Sequence, residues 1–184
     1  MLLPLAAEPF SMPRDRVLLP SERREFVRTH RTCVFGYRRR DDGPAMSVVY
    51  YVPTEDDELL VSTMGGRSKA LAVTRDPKVS LCVLDERWPF AYLQVHADAT
   101  IDREPDLVVD VMMAVGERMS GQPLGPDARP VVQAMAEAED RVVLRCRPYS
   151  TFATPPRQVH HTNEADGLTH GISGSVTWDA TDPT

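Results

Sequence analysis

Apolar and polar residues alternate along several separate stretches of the chain. Residues 31–38 place Cys33, Phe35 and Tyr37 on one face, which predicts a strand. Asp41-Asp42-Gly43 predicts a turn. A second strand follows at 44–52 (PAMSVVYYV), a turn at 54–57 and a third strand at 58–63 (ELLVST). These three read as an antiparallel meander with short connections. The period of two returns at 78–84 (KVSLCVL), at 90–101 (FAYLQVHADATI) and at 141–147 (RVVLRCR), the last stopped by Pro148.

Helical spacing fills the intervals. Ser21 reads as an N-cap, with Glu22 in the first turn of a helix over 22–30 that buries Phe26 and Val27. Gly65-Gly66 breaks the strand pattern, and 67–75 reads as a short helix ended by Asp76-Pro77. Residues 106–119 carry Leu107, Val108, Val111, Met112 and Val115 on one stripe. A Gly/Pro loop separates them from a second helix over 129–138. Six mostly antiparallel strands, with helices between the fifth and sixth, predict a closed or nearly closed barrel.

This divides the chain into an arm at 1–20 with four prolines, a barrel domain at 21–152 and an extension at 153–184. The extension holds His160-His161 and one further candidate strand at 172–178. The 184 residues suffice to bury roughly 70% of the unfolded surface. A net charge of −6 argues against a general nucleic-acid-binding surface but leaves room for a local basic pocket. No apolar run reaches the length of a membrane span. Cys33, Cys82 and Cys146 are widely spaced within apolar stretches, as expected of free thiols in a reducing cytoplasm. His160, His161 and His170 lack the companion ligands of a metal site.

Candidate chemistry concentrates where the third predicted strand runs into the 67–75 helix. A helix start presents free N–H groups and the positive end of a dipole. Ser62 and Thr63 add hydroxyls, Arg67 can grip a phosphate with paired hydrogen bonds, and Lys69 adds a point charge. Lys69 and Lys78 are the only lysines among 21 basic residues. The pattern suits an anion but also suits a helix start with solvated charges, and no Walker loop or GxGxxG is present. No Ser/His/Asp or paired-acid motif stands out.

The 44–52 strand, ELLVST at 58–63, GRSKAL at 66–71, TRDPKVSLCVLD at 74–85, YLQVHADATI at 92–101 and RVVLRCRPYSTF at 141–152 occur in the order and spacing of a known superfamily. Over about two thirds of its length the chain resembles the split-barrel flavin and deazaflavin proteins, which include pyridoxamine 5′-phosphate oxidase. It is most similar to the branch that uses the deazaflavin coenzyme F420. The resemblance implies a mostly β fold with flanking helices: a six-stranded antiparallel split barrel, homodimeric, with cofactor sites at the interface. Carried over by position, Ser62, Thr63, Arg67 and Lys69 hold the cofactor phosphate and its surroundings. The ring lies near Met46, Ser47 and Val48, and the partner subunit supplies the 85–94 region, with Trp88 and Gln94 as candidates. Trp88 reads equally as an aromatic plug at the dimer seam. The Ala70-Leu71-Ala72-Val73 run departs from the polar continuation usual in that branch.

The activity so implied is F420H2-dependent reduction of a small unsaturated or aromatic metabolite. An FMN-binding oxidase or flavin reductase, and a non-catalytic flavin- or ligand-binding protein, remain open beside it. Hydride chemistry belongs to the cofactor, which accords with the lack of a catalytic motif. His96 is either a proton donor or, more in keeping with its place on a strand, a structural histidine.

Overall fold

The computed structural model describes residues 1–4, 10, 18–85, 91–153 and 174–183. Helix α1 (Pro20–Thr29) leads into β1 (Thr32–Arg38), β2 (Pro44–Tyr50), the two-residue β3 (Val52–Pro53) and β4 (Leu59–Met64). Then come α2 (Ser68–Arg75), β5 (Lys78–Asp85), β6 (Ala91–Asp102), α3 (Pro105–Ser120), α4 (Ala128–Ala138), β7 (Arg141–Ala153) and β8 (Gly174–Thr177). One antiparallel sheet runs in the order β2-β1-β5-β6-β7-β4-β3, with β8 added to β7. It curls into an open split barrel.

Strand alternation sends Cys33, Phe35, Leu81, Val83, Leu93, Val95, Val61, Leu144 and Cys146 into one interior core. Helix α1 contributes Phe26 and Val27 to that core, and α2 contributes Ala70 and Val73. The opposite faces of β4 and β7, through Leu60 and Val143, meet Val108, Val109 and Val111 of α3 in a second cluster. Two buried arginines fasten the ends to this frame. Arg23 donates to the Leu18 carbonyl at 3.1 Å and to the Thr151 hydroxyl at 2.9 Å. Arg118 donates to the Leu3 carbonyl at 2.8 Å, holding the first residues beside β3, where Leu2 bridges Thr54.

Several expectations change. Among the described residues the sheet has eight strands, because a short β3 and the added β8 join the six expected. The first three strands do not form a meander. β2 pairs with β1, but the chain bends at Tyr51, whose N–H donates to the Arg31 carbonyl, and β4 pairs with β7 instead. Ser21 is not the N-cap of α1. Leu19 takes that place, Pro20 occupies the first turn, and the Glu22 carboxylate accepts the Leu19 N–H at 2.8 Å. Pro148 does not end β7, because a register shift at His96/Ala97 leaves Tyr149 as an extra residue beside it. The bulge accommodates a residue that lacks an N–H. The strand expected near 172–178 is β8.

All three thiols are free, Cys33 and Cys146 fully inside. Burial pushes the Cys146 thiol up to about 12.

Core packing sets a test. Leu144 is fully buried on β7, and Leu144→Ala should cost about 2–5 kcal/mol in urea denaturation. Leu71 on α2 is 52% exposed, and Leu71→Ala should stay within about 0.5 kcal/mol of wild type.

Candidate anion site at the start of α2

The turn from β4 into α2 is fixed from one side. The Gly65 N–H donates to the Asp140 carbonyl at 2.7 Å. A Cβ at Gly65 would sit 2.5 Å from the Asp140 carboxylate and 3.1 Å from the Arg103 guanidinium, so no larger residue fits without displacing them. A Cβ at Gly66 would meet nothing within 4 Å, which leaves the other side of the turn open.

Four cations surround this turn, and they divide into two pairs. Arg103 meets Asp140 at 3.2 Å, and Arg141 meets Glu139 at 2.6 Å. Arg67 and Lys69 have no acidic partner among the described residues. Arg67 is the exposed N-cap of α2, with its Nε 3.4 Å from the Met64 sulfur. No side chain caps the helix start, and no acid stands in its first turn. Lys69 is half-buried. Burial first, then the Arg67 and Arg141 charges, hold its pKa below the ordinary lysine value, while the Cys33 thiol pulls the other way. Two unanswered cations and a bare helix terminus together favour a bound anion.

The hydroxyls expected to assist divide between the two faces of β4. Thr63 is buried on the interior side, the side of Val61. Ser62 points outward with Leu60 toward the α3 layer, because neighbouring residues on a strand face opposite ways. Its Oγ is buried and has no hydrogen-bond partner. Ser47 shares the inward face of β2 with Val49, opposite Phe35, and its Oγ is likewise buried and unpartnered. Such groups normally find partners.

Gln94 stands elsewhere. It lies on the outer face of β6 in a row that runs from Val48 through Val34, Cys82 and Gln94 to Phe152. Within one chain it does not join the Arg67–Lys69 group. Trp88 and the three histidines of the extension lie outside the described residues. His96 is held at Nδ1 by the Ser80 hydroxyl at 3.1 Å and stacks on Tyr149 at 6.2 Å, an arrangement that accords with the structural reading. Asp140 and Glu139 decide which of these cations stay available, and the sequence reading missed both. The signal was the Glu-Asp pair immediately before RVVLRCR.

Residues 19–153, most of the chain, match the family model described as pyridoxamine 5′-phosphate oxidase. The chain belongs to that family. No protein of curated function matches it in sequence. Among solved structures it is similar to a conserved hypothetical protein from Mycobacterium tuberculosis, at TM-score 0.67 and 24% identity over 85% of this chain and 100% of that one. An F420 reductase aligns at TM-score 0.52 and 21% identity, covering 66% and 88%. A heme storage protein from Vibrio cholerae aligns at TM-score 0.52 and 18% identity, covering 72% and 91%. At these identities the likeness is one of fold. The family binds flavin-type cofactors, and Arg67 and Lys69 at the bare start of α2 fit a phosphorylated group. Among the described residues no three His, Cys, Asp or Glu side chains are grouped to hold a metal, and no helix is long and apolar enough to cross a membrane.

The depressed Lys69 pKa has a direction that can be checked. The folded chain releases this proton more readily than the unfolded chain, so carrying the charge costs stability below the folded pKa. That cost lifts as pH rises through it. Lys69→Met should therefore be more stable than wild type at about pH 7, and the gap should narrow toward about pH 10. Urea denaturation at the two pH values measures this, and a gap that widens with pH contradicts the assignment.

Proposed function

We propose that this chain is an F420H2-dependent reductase that transfers hydride to a small unsaturated or aromatic metabolite. The observation that carries the reading is the pair of cations, Arg67 and Lys69, without an acid among the described residues at an uncapped helix start. Arg67 and Lys69 hold the phosphate of the coenzyme, and the first N–H groups of α2 complete its shell. In this reading Ser47, on the inward face of β2, lies beside the ring and Thr63 lies on the interior side of β4, whereas Ser62, turned toward the α3 layer, does not join them. When bound, the reduced coenzyme supplies the hydride, and the protein binds, orients and shields it from water. FMN carries a phosphate that the same cations would accept. A non-catalytic flavin- or ligand-binding role differs only in lacking turnover.

The assembly in this reading is a homodimer, with Gln94 and Trp88 of each chain meeting the partner's cofactor. Its support is the outer face of β2, where Met46 and Val48 are 69% and 75% exposed in a single chain. Large apolar side chains grouped on an open sheet face mark an interaction surface. Val48→Asp should shift the protein from dimer to monomer in sedimentation at micromolar concentration. A wild-type chain that sediments as a monomer removes the dimer from the proposal.

The deciding measurement is a binding titration of F420 against FMN, repeated with Arg67→Ala and Lys69→Ala. Each substitution should weaken cofactor binding by about 1–3 kcal/mol, roughly 5- to 150-fold. Tighter binding of FMN than F420 would replace the first reading with the FMN oxidase or flavin reductase. Unchanged affinity in both variants would place the cofactor elsewhere. Stoichiometric binding without turnover would favour the non-catalytic role.

A further inference from the structure

One edge of β7 serves two partners. β4 pairs with it from Met64↔Arg141 to Leu59↔Cys146, and β8 from Ser150↔Thr177 to Ala153↔Gly174. Between these runs, residues 147–149 have no strand partner on that edge. A cavity of about 240 Å3 occupies the gap, walled by Arg24 of α1, Asp56 and Asp57 of the turn before β4, Arg147, and Trp178 and Asp179 after β8. It is smaller than the roughly 300–1,000 Å3 of drug-sized sites. It shares no residue with the Arg67–Lys69 group and does not depend on the cofactor reading.

The lining groups keep unused bonding capacity. Arg24 gives its Nη1 to the carbonyls of Trp178 at 2.9 Å and Ala180 at 3.0 Å, and its Nε and Nη2 bond nothing among the described residues. Arg147 gives its Nη2 to Glu58 at 3.1 Å, and its side chain is otherwise 79% exposed. Trp178 also walls the gap, although its indole N–H is turned away from solvent and has no acceptor among the described residues. Asp57 is answered by Arg28 at 2.5 Å. Asp56 and Asp179 have no cationic partner among the described residues. A simple anion would meet the arginines but also three carboxylates, and a simple cation would meet the reverse. A ligand with both charges satisfies both sets.

We propose that this gap binds a small zwitterion of the α-amino-acid class. Arg24 and Arg147 receive its carboxylate, Asp56 and Asp179 receive its ammonium group, and Trp178 stands beside it as a wall of the gap. Charge-assisted bonds of this kind are the stronger ones available to a small ligand.

The test uses the full chain labelled with 15N. It contains two tryptophans, so loss of one indole resonance in Trp178→Phe identifies the reporter. L-alanine, propionate and ethylamine are titrated to about 20 mM at constant ionic strength, a range suited to millimolar affinity. The Trp178 resonance should move saturably with L-alanine and stay still with the other two. Arg147→Gln and Asp56→Asn, both at solvent-facing positions, should each weaken L-alanine binding about tenfold or more. A resonance that stays still with L-alanine, one that moves alike with all three compounds, or one that follows propionate alone overturns the proposal. Full affinity in both variants does so as well.

Discussion

The pairing of β4 with β7 is the constraint on which the rest of this molecule depends. It carries the chain from the β2 end of the sheet to the far side, so the curled sheet closes over its interior through side chains. The pairing sets Met64 opposite Arg141 and so brings the β4–α2 turn against the start of β7. It also gives the sheet an outer surface, at Leu60 and Val143, for α3 to cover. If β4 had paired with β2, the turn would lie far from Asp140, and the Gly65 contact that holds it would not exist.

Local charge balance then determines what the turn can do. Arg103 and Arg141 are committed to neighbouring acids that arrive with the end of α4, whereas exposed Arg67 and half-buried Lys69 meet no acid among the described residues. The desolvation that depresses the Lys69 pKa raises the worth of any anion placed beside it, since a charge taken partly out of water is stabilised most by an opposite charge. Surface ion pairs contribute little to stability, so the neutralised pair matters chiefly for what it leaves free.

The elements were largely legible in the sequence because period-two and helical spacing are local properties. Phe35 inward on β1, Phe26 inward on α1 and the Val108–Val111 stripe on α3 all follow from neighbouring residues alone. Pairing partners were not legible, because alternation says which face a strand buries and not which strand lies beside it. Pro148 misled for a related reason: a missing N–H breaks a ladder only where a partner requires it, and the bulge removes that requirement. At the candidate site, Arg67 and Lys69 were visible as cations, but their freedom from acids was not, since Glu139 and Asp140 lie about seventy positions away in the chain. The opposite orientation of Ser62 and Thr63 was legible from the strand period, which excludes their acting as one side-by-side pair.

The bulge at Tyr149 also decouples two parts of the chain. Residues of β7 before it keep register with β4, and those after it keep register with β8. Insertions or deletions between β7 and β8 therefore shift β8 without sliding the barrel's own hydrogen-bond ladder.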